Sequence, residues 1–221
     1  MKLSNPQSKY FVRAAVLLIV LLSTWWFLLR RPTLIALYTG VGVVFSLIPN
    51  AAITLEPSGD WTFRAPVFDY SDDVLRRLNA TRLQSLDFTV PADDVATFML
   101  GLPIYLALAL AIPGPRRPSR FAWGLALQWA VGVLSVTLFA EVTAHHSLAQ
   151  ARGDTNPFTM WLREVVHYLL TAAVPFAAPV ISVVWLHAEL RTALFSAPSA
   201  ARPAVPVPVP TPAPKAHALS R

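Results

Sequence analysis

Between Phe11 and Leu29 the chain runs for 19 residues with one charge, Arg13. At 1.5 Å per residue, a helix over this run covers about 28 Å, close to the roughly 30 Å hydrocarbon core of a bilayer. In lipid the backbone finds no water to bond, so a segment of this kind spans as a helix that satisfies its own N–H and C=O groups. Arg13 lies near enough to one end to snorkel, and Trp25 and Trp26 suit an interfacial belt at the other. The run is too long for the apolar core of a signal peptide, and more apolar sequence follows at once.

Four further runs repeat the pattern. Arg30, Arg31 and Pro32 interrupt the chain before Thr33–Ile48, which carries small residues at Ala36, Gly40, Gly42 and Ser46, where a neighbouring helix can approach closely. This run is short, and reads either as a fifth span or as a tilted, partly inserted or re-entrant segment. Val95–Ile112 is stopped by Pro113, Gly114 and Pro115. Phe121–Ala140 follows a short basic loop. Val165–Leu186 contains Pro175 and Pro179, which predict a kink, and Trp161 and Trp185 bracket it. The chain is 55% hydrophobic and only 14% charged, against about a quarter charged in a soluble domain. The expected fold is an all-α integral membrane helical bundle of four to five transmembrane helices, with a small extracytoplasmic α/β segment.

Charge then orients the spans. Arg116, Arg117 and Arg120 stand in a short loop without an acid, which marks it as cytoplasmic. The tail after Ala188 carries Arg191, Arg202, Lys215 and Arg221 against Glu189 and reads the same way. The loops at 49–94 and 141–164 then lie outside. The N-terminus leaves two readings open. Lys2, Lys9 and Arg13 favour an inside start, which needs an odd number of crossings before residue 49. Two full spans would put it outside. The resulting division is 1–48 as N-terminal membrane segment or segments, 49–94 as an extracytoplasmic unit, 95–187 as a three-helix membrane region, and 188–221 as a cytoplasmic tail.

Within 49–94, Ala52–Glu56 and Trp61–Phe68 read as strands. Trp61, Phe63 and Ala65 alternate with Thr62 and Arg64, and Pro57-Ser58-Gly59-Asp60 makes the turn between them. Ser71, Asp72 and Asp73 suit the start of a short helix through Leu83, and Leu86–Val90 a third strand. About 46 residues bury little core alone, so the unit is expected to rest on the membrane helices or on a partner. The Pro-Val-Ala sequence at 197–214 favours extended polyproline II and a disordered end.

Chemistry is sparse. The chain has no cysteine, which removes disulfides, thiolate metal sites and cysteine nucleophiles. Glu141 and His145 are one helical turn apart, Glu164 and His167 have the Glu-x-x-His spacing of carboxylate-bridged metal bundles, and His146 adjoins them. A metal centre needs three or four such ligands to converge, and helix capping, mutual pairing or solvent contact is the plainer expectation. His187 lies near the other end of the last span. No ionisable group lies deep in the spans between 95 and 140, which argues against a proton relay or charged-ion pathway. Phosphate-loop, nucleophile-elbow and HExxH motifs are missing. No catalytic, cofactor or metal residue is therefore assigned. The net charge of +6 sits in loops and tail, where anionic lipid accounts for it before nucleic acid does.

Lys9-Tyr10-Phe11-Val12-Arg13 leading into an aliphatic helix with Trp25-Trp26, the outer segment ending in Phe88-Thr89-Val90-Pro91, Gly101-Leu102-Pro103-Ile104-Tyr105-Leu106-Ala107-Leu108 opening the next helix, and the final helix from Tyr168 to Trp185 together cover most of residues 9–187. In these the chain resembles the small bacterial membrane proteins of the exosortase H-associated type. The resemblance implies a non-enzymatic accessory in the inner membrane, with the lipid bilayer and an exosortase or its substrates as partners and no nucleic acid. It implies too that the sorting enzymes, which use Cys, Arg and His, differ from this Cys-free chain. The alternatives are a transport component for an uncharged or apolar solute, and a membrane enzyme acting through Glu141, His145, His146, Glu164 and His167 at the outer interface.

Overall fold

A computed structural model describes residues 6–66, 85–112, 118–152 and 156–187. Among them, four helices are long and apolar enough to cross a membrane: Ser8–Ser46, Ala92–Ala111, Pro118–Gln150 and Pro157–Leu186. The chain is a multi-span helical bundle with a small β-sheet. The helix expected from Ser71 to Leu83 and the extended tail at 197–214 lie outside the described residues.

The first two apolar runs are not separate. Helix α1 (Pro6–Thr24) passes through a π-helical turn (Trp25–Leu29) directly into α2 (Arg30–Ser46). Pro32 was expected to break the chain here. A proline removes one ladder N–H and crowds the carbonyl four residues back, and the widened turn just before it makes room. The Thr33 hydroxyl lies 2.9 Å from the Leu29 carbonyl and 2.8 Å from the Arg30 carbonyl, and it donates back into the turn that precedes it.

The turn also redirects the helix. A straight extension of α1 would carry Leu37 about 10 Å beyond Arg30. Arg30 pairs with Asp93, at the start of the next helix. Yet Leu37 Cδ1 and Met99 Sδ both flank Gly132, 3.6 and 2.8 Å from where a β-carbon would stand. Helix α2 therefore does not prolong α1. It leaves at an angle and packs between the bundle and the sheet.

The sheet is an antiparallel meander of β1 (Ala52–Leu55), β2 (Trp61–Pro66) and β3 (Ser85–Val90). The expected strands are present: β1 ends one residue before the expected Glu56, β2 is described as far as Pro66, and β3 begins one residue before the expected Leu86. Gly59, at φ +95°, supplies the left-handed residue of the β1–β2 turn, where the Glu56 N–H donates to the Asp60 carbonyl at 2.8 Å. Trp61, Phe63 and Ala65 point inward and are buried, as the alternation predicts. They meet α2: Tyr38 packs edge-on to Trp61 at 5.5 Å and donates its hydroxyl to the Ile53 carbonyl at 3.1 Å, and Phe45 lies 5.8 Å from Phe63. Phe63 stacks in turn on Phe88 at 5.4 Å. Each such buried aromatic contributes on the order of 1.5–3 kcal/mol. The small unit thus borrows its core from the helices.

Helix α3 (Ala92–Thr97) follows β3 and leads into α4 (Gly101–Ala111). Helix α5 (Pro118–Arg152) has 35 residues and corrects the expected end at Ala140. Ala140, Ala144 and Leu148 recur every fourth residue and are buried, so a core stripe carries the helix past the apolar run. Most of the expected 141–164 loop is therefore helix. Helix α6 (Pro157–Tyr168) starts at a true cap, the Asn156 side chain accepting the Phe158 N–H at 3.0 Å with Pro157 in the first turn. A second π-helical turn (Leu169–Ala173) precedes α7 (Val174–Leu186). The disruption expected from Pro175 and Pro179 takes this form, with Pro175 in the first turn after it.

Two contacts fix which ends lie together. The Tyr10 hydroxyl donates to the Leu108 carbonyl at 3.4 Å, and the Tyr105 hydroxyl to the Arg120 carbonyl at 3.4 Å. The start of α1, the end of α4 and the start of α5 share one end of the bundle, and the sheet sits at the other. In between, buried Gln128 donates to buried Ser182 at 2.8 Å, and Ser182 donates to the Ala178 carbonyl, so α5 and α7 are joined by a satisfied polar link.

Candidate functional site

The extension of α5 creates a cavity at the sheet end. Phe139, Val142, Thr143 and His146 follow one another at helical spacing and form its first wall. Arg163, Glu164 and His167 of α6 form the second, and Phe88–Pro91 with Asp94 close the third side. The volume is about 620 Å³, in the range of small-molecule or peptide-side-chain sites.

Of the residues singled out in the sequence, His146, Glu164 and His167 reach this cavity. Glu141 and His145 are not part of its lining, and His145 is exposed. His187 lies at the end of α7, where neighbouring Val183 packs with Tyr10 and Tyr105 at the opposite end of the bundle. His217 lies outside the described residues. The cavity histidines already have neighbours: His146 Nε2 is 2.7 Å from Gln150 Nε2 on its own helix, and the His167 ring lies 5.0 Å from that of Phe139. Among the described residues, no group of three or more His, Asp or Glu side chains is placed to hold one metal ion. Glu164 and His167 keep their spacing on α6 but gain no third ligand among the described residues.

The rim carries both signs of charge. Asp94 stands in the first turn of α3, where a carboxylate suits the helix N-terminus. The Thr89 hydroxyl is 3.0 Å from that of Thr62 on β2. On the outer face of the same sheet, Arg64 grips Asp87 with two hydrogen bonds of 2.9 Å. Those bonds hold the Asp87 carboxyl below its ordinary range and raise the Arg64 guanidinium. Asp94 and the β3 end were missed in the sequence, because nothing local ties them to His146 or Glu164, which meet them only through the tertiary fold.

No curated protein and no solved structure matches the sequence. The sequence profile of the exosortase H-associated membrane proteins does match, over residues 4–190, and with most of its length covered the chain belongs to that family.

Proposed function

We propose that this chain is a non-enzymatic accessory of an exosortase-type protein-sorting system in the bacterial inner membrane. Family membership is the observation that carries the reading. The geometry supports it in two ways. The sheet is fastened to the bundle through Tyr38, Phe45, Trp61 and Phe63, so it presents a fixed surface rather than a tethered domain. The cavity beside it offers hydrogen-bonding and charged groups of both signs, with no converged set of metal ligands among the described residues.

The proposed orientation follows from the arginines. With the 116–120 segment cytoplasmic, the N-terminus shares that side, α1 crosses once, α2 packs against α5 at the outer edge of the membrane, and the sheet lies outside. Residues 49–94 would then form the extracytoplasmic unit, and 188–221 the cytoplasmic tail. A companion to an exosortase or its substrates would meet them at the sheet and the cavity.

Deletion in the native host tests the reading. Loss of the chain is expected to abolish processing of an exosortase substrate, while His146→Ala, Glu164→Gln and His167→Ala each leave processing within a few-fold of wild type. An acid–base residue would cost about a hundredfold or more. Unchanged processing in the deletion strain contradicts the accessory role, and a loss of that size in a single variant contradicts the non-enzymatic one.

A further inference from the structure

A second cavity, of about 730 Å³, opens where the chain leaves the apolar zone. It lies between the first π-helical turn and the β1–β2 hairpin. Its lower wall holds Phe27, Leu28 and Ile35, which are 81%, 72% and 61% exposed. Apolar side chains so bare on a spanning helix face acyl chains. Arg30 and Arg31 follow immediately, so they stand at headgroup depth. The hairpin turn, with Glu56 and Ser58, lines the opposite side of the groove.

The charges in the groove are not equivalent. Arg30 is engaged twice, by Asp93 and by the Trp26 ring 4.6 Å from its guanidinium carbon. Arg31 is exposed and has no ion-pair partner among the described residues. Glu56 lines the same groove and is also exposed, and among the described residues its carboxylate accepts the Thr62 hydroxyl, at 3.1 Å. One uncommitted cation and one carboxylate thus share a groove whose floor is apolar.

We propose that this groove holds a zwitterionic aminophospholipid. The phosphate pairs with Arg31, the ammonium faces Glu56, and an acyl chain runs along Phe27, Leu28 and Ile35. Arginine suits the phosphate because its planar fork can donate two hydrogen bonds at once. Glu56 disfavours a headgroup that lacks a cation. The hairpin separates this site from ordinary boundary lipid, because it sets Glu56 and Ser58 beside the headgroup.

The test is native mass spectrometry of the full-length protein released from detergent, titrated with phosphatidylethanolamine or phosphatidylglycerol of matched acyl chains. The wild type is expected to bind the ethanolamine lipid more tightly. Arg31→Gln is expected to weaken both lipids about tenfold, the scale of one lost charge-assisted contact. Arg31→Lys keeps the charge but not the fork, so its binding should fall between the wild type and Arg31→Gln, which guards against misfolding as the cause. Glu56→Gln should erase the preference between lipids, and Arg13→Gln at the other end of α1 should change nothing. Equal effects of Arg31→Gln and Arg13→Gln, or tighter glycerol-lipid binding by the wild type, would overturn the proposal.

Discussion

The phenol of Tyr105 occupies the space beside the bare Cα of Gly124: a β-carbon added there would stand 1.8 Å from its Oη and 2.0 Å from its Cζ. Tyr105 is fully buried and its hydroxyl reaches the Arg120 carbonyl, so the ring has no free volume to enter. Gly124→Ala is expected to destabilise the bundle by about 1–3 kcal/mol through overpacking. Adding Tyr105→Phe should not rescue it, because the ring carbon clashes as well as the oxygen. Thermal unfolding of both variants in mild detergent checks this, and full rescue by the phenylalanine would show the ring to be mobile.

Two glycines of α2 separate its packed face from its open one. At Gly40 a β-carbon would lie 2.5 Å from Trp129 Cζ2 and 2.6 Å from Val133 Cγ2, while at Gly42 it would meet only Ile53, at 3.8 Å. Gly40→Ala is expected to cost about 1–3 kcal/mol. Gly42→Ala should be neutral or stabilising by up to about 1 kcal/mol, since alanine loses less freedom in a helix. The same melting assay distinguishes them, and equal effects would contradict the placement of α2 against α5.

These positions show what the sequence carries and what it does not. Phe11–Leu29 reads as membrane-spanning because a continuous apolar run needs no neighbour to be interpreted. Small residues at Gly40 and Gly42 signal close approach, yet only the tertiary fold tells which of them is against α5. The end of α5 was hidden for a similar reason. Ala140, Ala144 and Leu148 form a thin stripe among polar residues, and they gain meaning only from what they pack against. Pro32 reads as an interruption in the sequence, but a π-helical turn absorbs it, and that turn has no side-chain signature. At the cavity, Glu141 and His145 sit at a correct helical spacing on the wrong face. One residue further, a rotation of about 100°, brings His146 to the lining instead.

The Arg64–Asp87 pair links the sheet to pH. Hydrogen bonds from Arg64 lower the Asp87 pKa in the folded chain, so the unfolded chain binds more protons in the acid range. The stabilisation is present above the ordinary aspartate value of about 3.9 and is lost as pH falls through the folded value. Both side chains are about half exposed, so the effect is small and weakens with salt. Between pH 7 and pH 3, the melting temperature of the wild type is expected to fall slightly more than that of Asp87→Asn at low ionic strength. Identical falls would show that the pair does not contribute to folding.

The proposed orientation puts the β1–β2 hairpin and the start of α1 on opposite sides of the membrane. Because the chain has no cysteine, single cysteines report without background. Ser58→Cys lies in the hairpin turn and Ser8→Cys near the start of α1. With a membrane-impermeant maleimide on intact spheroplasts, Ser58→Cys is expected to label at once and Ser8→Cys only after lysis. Labelling of Ser8→Cys in intact spheroplasts, or silence of Ser58→Cys until lysis, would contradict the single crossing of α1 and the outward-facing sheet.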